Sequence, residues 1–516
     1  MFTARSAKRR AGRGKRGAAL PCEVSVIVPV YNAMPYLTEC LDSLVGQSID
    51  RARMEVIAVD DGSTDGGEKE LERYASLHPG LFRVIHQPNS GGPASPCNRG
   101  LEQAAGRYVL FLGADDYLGP KALERMVNSA DANASDVVYV RMVGVGGREV
   151  HQGVFARTRA EVRLDDWRIC WALSNTKLFR RSLVEEHGLR FSEKLTAFSD
   201  QPFTLEALFR ARRISVLGDY DYYFSVRRGD LSNITLRSGH LERLRGLTAA
   251  MAVTERFTEP GSKCRANMNV RHFHWEAEQL LRANFLELEE SAQQEVFDGL
   301  RALVDRYLDE EVEGRLQVRR RVRLAHVRAG DLVGLRAAIA DEDDQGRVPL
   351  TVRGDRVYAD YSAFRDPERT MPESVFDVTK WVRQRASQQR LEIRSLVAAG
   401  KSRPLGLRMR AVSSLDDLAE LADQNVASVT VDEAPAGTQI RLQALENGAG
   451  TGIDVELPLA APEFGRTLAL RIRIAGVERT ARAADALERP VVSAALVRLR
   501  SAVARRSRRL IRRWGD

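Results

Sequence analysis

Short apolar runs alternate with helix-like runs over residues 22–143, and this alternation constrains the fold more than any other feature. The strand-like runs are rich in β-branched residues, and amphipathic stretches separate them. This order predicts an α/β fold, a doubly wound, mostly parallel sheet with helices on both faces. The predicted strands are 24–30, 55–59, 82–85, 108–112 and 137–143, and the predicted helices are 35–45, 66–77, 96–105 and 120–130.

The pattern changes twice further along the chain. A first domain at 21–235 is followed at 236–345 by apolar positions at helical spacing, which predict a helical linker. Residues 346–484 carry strand-like runs between turn residues, which predict an all-β, sandwich-like module. Several domains are expected, because 516 residues are too many for one hydrophobic core.

The excess positive charge of the chain is confined to its two ends. Residues 1–20 contain seven Lys or Arg and no acid, and we expect a disordered basic tail there. Residues 492–516 contain eight Arg and one Asp. Apolar residues recur at helical spacing within 485–516, which predicts a basic amphipathic helix bound to an anionic membrane surface. The alternative is a helix that packs on its own β module.

Cysteine usage and hydropathy predict a cytoplasmic protein, peripheral on the inner face of the cell membrane. The five scattered cysteines lack the spacing of a zinc or disulfide framework. No apolar run approaches the ~20 residues of a bilayer span, and the basic N-terminus lacks the apolar part of a secretory signal. The tails lack interleaved aromatic residues, so we expect no nucleic-acid partner.

Polar residues follow each of the first four predicted strands. One such loop would be ordinary turn chemistry, but ligands of doubly wound sheets bind outside the carboxyl ends of the strands. Four polar loops on one edge therefore indicate a binding site. A dehydrogenase is not expected, because no Gly-x-Gly-x-x-Gly follows the first strand. The four loops contain Tyr31-Asn32, DDGSTD (60–65), NSGG (89–92) and GADD (113–116).

Four motifs resemble those of the family-2 glycosyltransferases. They are VSVIVPVYN (24–32), VDDGSTD (59–65), FLGADD (111–116) and FSDQPF (198–203). The resemblance covers about residues 22–235 and implies the GT-A fold, a nucleotide-sugar donor and inversion at the anomeric carbon. The chain departs from the family pattern at Gly113, Ser199 and Cys97, where Asp, Glu and Arg are usual.

The resemblance implies that Asp116 binds Mg²⁺ or Mn²⁺ and that Asp200 is the catalytic base. A divalent cation stabilises the charge of a diphosphate leaving group, and hard cations prefer carboxylate oxygens. An inverting transfer needs a base that takes the proton of the acceptor hydroxyl. Asp115 either binds the ribose or assists the metal.

Further residues are expected around the nucleotide. Tyr31 would stack on the uracil while Asp60 accepts a base N–H, and Asp61 and Asp65 either contribute or only shape the turn. Lys177 resembles a family lysine near the acceptor, or is simply solvated. The other candidates for donor binding are Asn89 and Gly91 in the third loop, and Arg227, Arg228 and Ser232, which would close over the diphosphate.

The third loop, GGPASPCN (91–98), looks most like the branch of the family that glycosylates wall teichoic acid. That resemblance implies a UDP-sugar donor, hexosyl or N-acetylhexosaminyl transfer, and a polymeric glycan or polyol-phosphate acceptor. In that branch C-terminal β modules can drive trimerisation, so we expect a homo-oligomer formed by the β module. The alternative is a non-catalytic glycan-binding or scaffold protein that retains the GT-A fold.

Overall fold

A computed structural model describes residues 22–230, 233, 237–343, 346–368, 371–399, 406–415, 417–432, 434, 438–445, 450–458 and 469–482. The chain divides into two compact units between Leu316 and Gln317, within the predicted helical linker. The predicted tail at 1–20, Ser232 and the predicted helix at 485–516 lie outside the described residues. The predicted domain boundaries therefore stay predictions.

The first unit alternates strands and helices as the apolar pattern predicts. Its strands are β1 (Val24–Val30), β2 (Met54–Asp60), β3 (Phe82–His86), β4 (Tyr108–Phe111), β5 (Tyr117–Leu118), β6 (Val137–Val140), β7 (Met142–Val145), β8 (Arg159–Val162), β9 (Lys177–Arg180), β10 (Ile214–Leu217) and β11 (Tyr223–Val226). The helices up to residue 210 are α1 (Tyr36–Val45), α2 (Gly67–Leu77), α3 (Ala94–Gln103), α4 (Ala122–Ala132), α5 (Arg181–Glu186) and α6 (Asp200–Arg210).

Eight strands form one sheet in the order β3-β2-β1-β4-β9-β6-β10-β8. All pair in parallel except β8 and β9, which run antiparallel to their neighbours, so the prediction of a mostly parallel sheet is confirmed. The strand order reverses between β1 and β4, which creates a crevice at their carboxyl ends. Both faces are buried, because Val26 and Val28 contribute to one core cluster while Ile27 contributes to the other.

The predicted strand at 137–143 is wrong as a single strand. It breaks at Arg141, whose N–H donates to Leu217 O at 2.9 Å and whose carbonyl accepts from Tyr222 N at 3.2 Å. The part before the break, β6, stays in the large sheet, and the part after it, β7, joins a small sheet ordered β5-β11-β7. In this small sheet β11 pairs with β5, which directly follows the acidic motif GADD (113–116).

Helices follow the sheet, as predicted for the linker. They are α7 (His240–Phe257), α8 (Lys263–His272), a π-helix (Phe273–Ala277), α9 (Glu278–Leu280), α10 (Glu290–Tyr307) and α11 (Glu310–Gly314). The next two, α12 (Val318–Ala329) and α13 (Leu332–Ala340), belong to the second unit. Among the described residues, none of the helices combines the length and the apolar character of a membrane span.

The second unit is β-rich with antiparallel sheets, as predicted, and it also contains helices. Its sheets are ordered β12-β13, β14-β15-β18-β17 and β16-β19-β20. Helices are included because apolar side chains such as Val382 and Ala386 complete the core. The elements are β12 (Leu350–Arg353), β13 (Arg356–Ala359), α14 (Ser362–Arg365), α15 (Thr379–Gln388), β14 (Leu391–Ala399), β15 (Gly406–Ser413), α16 (Leu418–Asp423), β16 (Ala427–Val431), β17 (Gln439–Ala444), β18 (Thr451–Pro458), β19 (Ala469–Ile474) and β20 (Val477–Arg482).

Candidate active site

The loops after β1 and β2 are tied together at the carboxyl edge of the sheet. Asn32 adopts a left-handed backbone with φ 45°, and its Oδ1 accepts from Thr64 N at 2.8 Å. Asp65 accepts from Met34 N at 2.7 Å and from Gly67 N at 3.0 Å. Asp65 therefore shapes these loops. Beside them, Tyr31 is 47% exposed, as a residue that stacks on a planar ligand must be.

Asp60 is buried at the end of β2 and is held by two neighbours. Its Oδ1 accepts from Ser63 N at 3.0 Å, and its Oδ2 lies 3.1 Å from His86 Nδ1. Glu72 lies 2.8 Å from the other ring nitrogen, and the two carboxylates raise the pKa of His86, Glu72 most strongly. Each carboxylate oxygen of Asp60 keeps a second lone pair that a ligand N–H can use.

The third loop is held by hydrogen bonds to Asp61 and turns at Gly91. Asp61 accepts from the backbone N–H of Ser90 at 3.1 Å and from its hydroxyl at 2.9 Å. Asn89 Oδ1 accepts from Gly91 N at 2.8 Å, and Gly91 has φ 84°, a conformation that favours glycine. The Asn89 side chain thus stabilises the turn itself, a role that the sequence did not assign to it.

Asp115 and Asp116 lie side by side after β4. Asp116 Oδ2 accepts from the Tyr223 hydroxyl at 2.7 Å, and its Oδ1 accepts from Val226 N at 2.8 Å. Burial, and to a lesser extent the charge of Asp115, raise the pKa of Asp116. A cation placed here would relieve the repulsion between the two carboxylates.

Gly113 leaves open the space that these carboxylates face. A Cβ at Gly113 would lie 2.9 Å from Asp116 Oδ2 and 3.1 Å from Asp115 Oδ1, so one oxygen of each carboxylate lies close to Gly113. The described part of the chain contains no cluster of three or more His, Cys, Asp or Glu side chains arranged to hold a metal. Two carboxylates nevertheless fit Mg²⁺ or Mn²⁺, since Mg²⁺ sites commonly combine one or two carboxylates with substrate phosphates and waters.

Arg228 and Asn233 close the acidic motif from the segment after β11. Asp115 Oδ2 accepts from Arg228 Nε at 2.9 Å and from Asn233 Nδ2 at 2.7 Å. Arg228 Nη1 also donates to Asn32 O at 2.9 Å, which connects the loop after β1 to the loop after β4. Arg227 lies next to this group with an exposed side chain, while its N–H donates to Val145 O at 3.1 Å.

Asp200 begins α6 and interacts electrostatically with Lys177, the first residue of β9. Burial raises the pKa of Asp200, and the charges of Lys177 and Arg271 oppose that rise. Lys177 itself is 1% exposed, and burial lowers its pKa to about 7. Its Nζ donates to Ser174 O at 2.5 Å and lies 4.4 Å from the ring centroid of Tyr139. Lys177 is therefore buried, and its interpretation as a solvated lysine is wrong.

Aromatic contacts connect Asp200 to the strand that carries the acidic motif. Phe203, one turn along α6, meets Phe111 of β4 edge to face at 5.6 Å and stacks on Phe191 at 4.1 Å. The third loop also reaches this region, because a Cβ at Gly92 would lie 2.4 Å from Thr196 O. The structure thus groups Asp115, Asp116 and Arg228, and places Asp200 beside Lys177 on elements that share a core with β4.

Sequence reasoning missed two residues of this site. Tyr223 and Asn233 hold the acidic motif although they lie more than 100 residues further along the chain. The only local signal was the cluster of Tyr and Asn around Arg228, which has no fixed spacing to the motif.

Two family models match this chain. The model described as Glycosyl transferase family 2 matches residues 25–188, and the model described as Glycosyl transferase TarS linker domain matches residues 242–339. The first therefore includes the loops after β1–β4, and the second begins two residues after the start of α7.

Curated relatives match less than half of this chain. A poly(ribitol-phosphate) beta-glucosyltransferase of Bacillus spizizenii is 39% identical over 206 residues, which are 40% of this chain and 32% of that protein. The match thus spans about a third of that relative. The glycosyltransferase EpsJ of Bacillus subtilis, described as uncharacterized, is 31% identical over 265 residues, which are 48% of this chain and 74% of EpsJ.

Solved structures of Staphylococcus aureus TarS share the fold. TarS 1-349 in complex with UDP-GlcNAc aligns with TM-score 0.57 and 29% identity over 66% of this chain and 97% of that one. A longer TarS structure aligns with TM-score 0.62 over 89% of this chain and 77% of that one, at 23% identity. The similarity of fold therefore extends into the β-rich unit.

Proposed function

Because the chain belongs to the family-2 glycosyltransferases, we propose that it transfers a hexose or N-acetylhexosamine from a UDP-sugar to a hydroxyl of a polyol-phosphate polymer such as teichoic acid. The substrate class is supported by a relative named for poly(ribitol-phosphate) and by TarS, solved with UDP-GlcNAc. One observation carries the proposal. Asp115 and Asp116 lie side by side after β4, at the sheet's switch point, and Asp200 begins α6, whose Phe203 packs against Phe111 of β4.

The donor would bind along the carboxyl edge of β1–β4. Tyr31 stacks on the uracil and Asp60 accepts a base N–H, while the backbone at Gly91 allows close approach. Arg228 would face the diphosphate together with Arg227 and Ser232, its near neighbours in the sequence, because a guanidinium recognises phosphate oxygens well. Asn233 keeps Asp115 oriented during binding.

Asp116, assisted by Asp115, would hold Mg²⁺ or Mn²⁺. Such an ion, when bound, neutralises the charge that develops on the diphosphate as it leaves. Tyr223 and the backbone of Val226 fix the orientation of Asp116, so the carboxylate is preorganised for this role.

Asp200 would act as the general base of the transfer. The acceptor hydroxyl gives its proton to the Asp200 carboxylate, and the acceptor oxygen bonds to the anomeric carbon as the bond to the diphosphate breaks. The nucleoside diphosphate leaves from the opposite face, so the configuration inverts. Burial raises the pKa of the Asp200 carboxylate and so makes it a stronger base, and the charge of Lys177 opposes that rise.

Two further proposals concern the whole chain. The basic amphipathic pattern at 485–516 supports attachment to an anionic membrane surface on the cytoplasmic side. The β-rich second unit is the candidate for contacts between subunits of a trimer.

The first experiment measures UDP release from UDP-glucose and UDP-GlcNAc, with Mn²⁺ and poly(ribitol phosphate). Asp200→Asn should lower kcat by about 100- to 10,000-fold and leave UDP affinity unchanged, as expected for a lost general base. Asp116→Asn should weaken Mn²⁺-dependent binding of UDP in calorimetry. A matched control is Asp131→Asn, because Asp131 is ion-paired with Arg107 at the end of α4, outside the site.

Either of two results would contradict the proposal. One is an Asp200→Asn enzyme that keeps more than a tenth of the wild-type kcat. The other is a protein that neither binds UDP nor releases it from either donor, which would favour the non-catalytic scaffold.

A further inference from the structure

The helical run from Lys263 to Leu280 is interrupted by a π-helix that changes which side chains meet. Residues five apart lie roughly 140° apart around an α-helix, so Arg271 and Glu276 would not face each other there. In the π-helix at Phe273–Ala277 hydrogen bonds run between residues five apart. Glu276 is thereby brought onto Arg271 as an ion pair, and its Oε2 lies 3.4 Å from His272 Nδ1.

This buried pair reaches the helix that carries the proposed base. Gln201, the residue after Asp200, donates from Nε2 to Glu276 Oε1 at 2.9 Å and accepts from Arg271 Nη1 at 3.1 Å. The exposed fractions of Gln201, Arg271 and Glu276 are 9%, 6% and 7%. The first turn of α6 is therefore fixed by charge-assisted hydrogen bonds away from water, where they are strongest.

A second set of contacts holds the loop before Asp200. Phe198 has φ 61°, a conformation that an aromatic residue rarely adopts, and it persists only where the surroundings impose it. Gly246 of α7 leaves room for it, since a Cβ there would lie 2.6 Å from Phe198 Cβ. Arg243 of the same helix lies 5.1 Å from the Phe198 ring centroid, and Glu242 accepts from the Thr196 hydroxyl at 2.8 Å.

We propose that Glu276 is a positioning residue that acts through Arg271 and Gln201 to aim the Asp200 carboxylate at the acceptor hydroxyl. The helices at 240–280 are then part of the catalytic apparatus. A purely structural role explains this network less well, because buried ion pairs are often replaced by apolar residues without loss of stability. The inference rests on the proposed function, since it assigns a role to the same base.

The charges around Asp200 make the proposal testable by pH. Arg271 lowers the pKa of Asp200, and Glu276 balances Arg271. Glu276→Gln should therefore move the acid limb of kcat to lower pH, and Arg271→Gln should move it to higher pH. Cys97 on α3, Lys177 on β9 and Arg271 on α8 interact electrostatically with Asp200. His272 and Glu276 contact Arg271, and Arg243 of α7 lies over the Phe198 ring.

Glu276→Gln and Arg271→Gln should each lower kcat by roughly 100-fold and leave the KM for the donor unchanged. Small misplacements of reacting groups reduce the rate by about that factor. Gln201→Leu cuts the connection but leaves the ion pair intact, so it should fold and show the same loss of kcat. A matched control is Glu255→Gln on α7, whose carboxylate pairs with Arg306 away from this loop.

Hydrogen–deuterium exchange of residues 196–205 provides a readout independent of activity. Faster exchange in Glu276→Gln and Gln201→Leu, but not in Glu255→Gln, is the expected result. If the wild-type chain shows no transferase activity, the proposed function is wrong. The hydrogen–deuterium exchange of residues 196–205 then decides by itself whether Glu276 positions this segment. Unchanged exchange, or acid limbs that move in the same direction, would overturn the inference.

Discussion

Asn233 fixes the Asp115 carboxylate through its side-chain amide. The amide nitrogen donates to Asp115 at 2.7 Å, and the amide oxygen accepts from Arg228 N at 2.9 Å. Hydrogen bonds to a charged group contribute about 1.5–3 kcal/mol each. We therefore expect Asn233→Ala to weaken UDP binding by about tenfold or more, as measured by calorimetry.

Asn133→Ala is the matched control for this prediction. The Asn133 side chain bonds Ser129 Oγ at 3.2 Å, at the end of its own helix, so UDP affinity should stay at the wild-type value. Equal affinity in both variants would show that Asn233 does not orient the donor site.

The buried Lys177 predicts how stability changes with pH. Its pKa is about 7 in the folded protein and about 10.4 in an unfolded chain, so unfolding takes up a proton between these values. The free energy of unfolding therefore rises with pH across this range, by up to about 1.4 kcal/mol per pH unit. Lys177→Met should be more stable than wild type at pH 7, and the difference should shrink as pH approaches 10.

Chemical denaturation at pH 7 and pH 9.5 measures this difference. Lys194→Met, at an exposed position, should show the same pH dependence as wild type. A gap between wild type and Lys177→Met that stays constant with pH would mean that Lys177 remains charged in the fold.

At the scale of the elements, α7 needs a glycine at position 246, where it packs against Phe198. Gly→Ala inside a helix normally stabilises a protein by about 0.5–1 kcal/mol. At Gly246 the added Cβ would lie 2.6 Å from Phe198 Cβ, so Gly246→Ala should instead destabilise by about 1–3 kcal/mol. Thermal denaturation measures the change.

Gly314 provides the control for Gly246. It ends α11, and a Cβ there would meet no atom within 4 Å, so Gly314→Ala should be neutral or stabilising. The prediction fails if both substitutions shift the melting temperature in the same direction.

The elements also show where sequence patterns stop being informative. The loops after β1–β4 were predictable because apolar periodicity places their strands and the polar residues follow at once. The break at Arg141 was not, since periodicity does not report which strand is the partner. The hydrogen bonds of Tyr223 and Glu276 were hidden for a similar reason, because their partners lie 107 and 75 residues away.

At the scale of the whole molecule, the division at Leu316 predicts that the first unit folds alone. Every contact of the candidate site described above lies before that residue. A fragment of residues 1–316 should therefore melt in one transition and bind UDP as tightly as the full chain. Calorimetry and thermal denaturation test both statements.

A fragment ending at residue 280 serves as the comparison. It lacks α10, whose Val296 and Leu300 are fully buried, and should not fold. If the 1–316 fragment failed to bind UDP while it remained folded, the second unit would have to contribute to the donor site.

The hydrogen bonds of Gln201 to Arg271 and Glu276 also define which parts of the chain can be exchanged between relatives. A chimaera joined at the start of α7 would combine a transferase domain from one parent with helices from another, and would pair Gln201 with foreign partners. A junction before Phe191 and another after Leu280 keep both ends of these bonds from one parent. Recombination libraries should therefore take residues 191–280, which contain the proposed base and the helices that contact its segment, from a single parent.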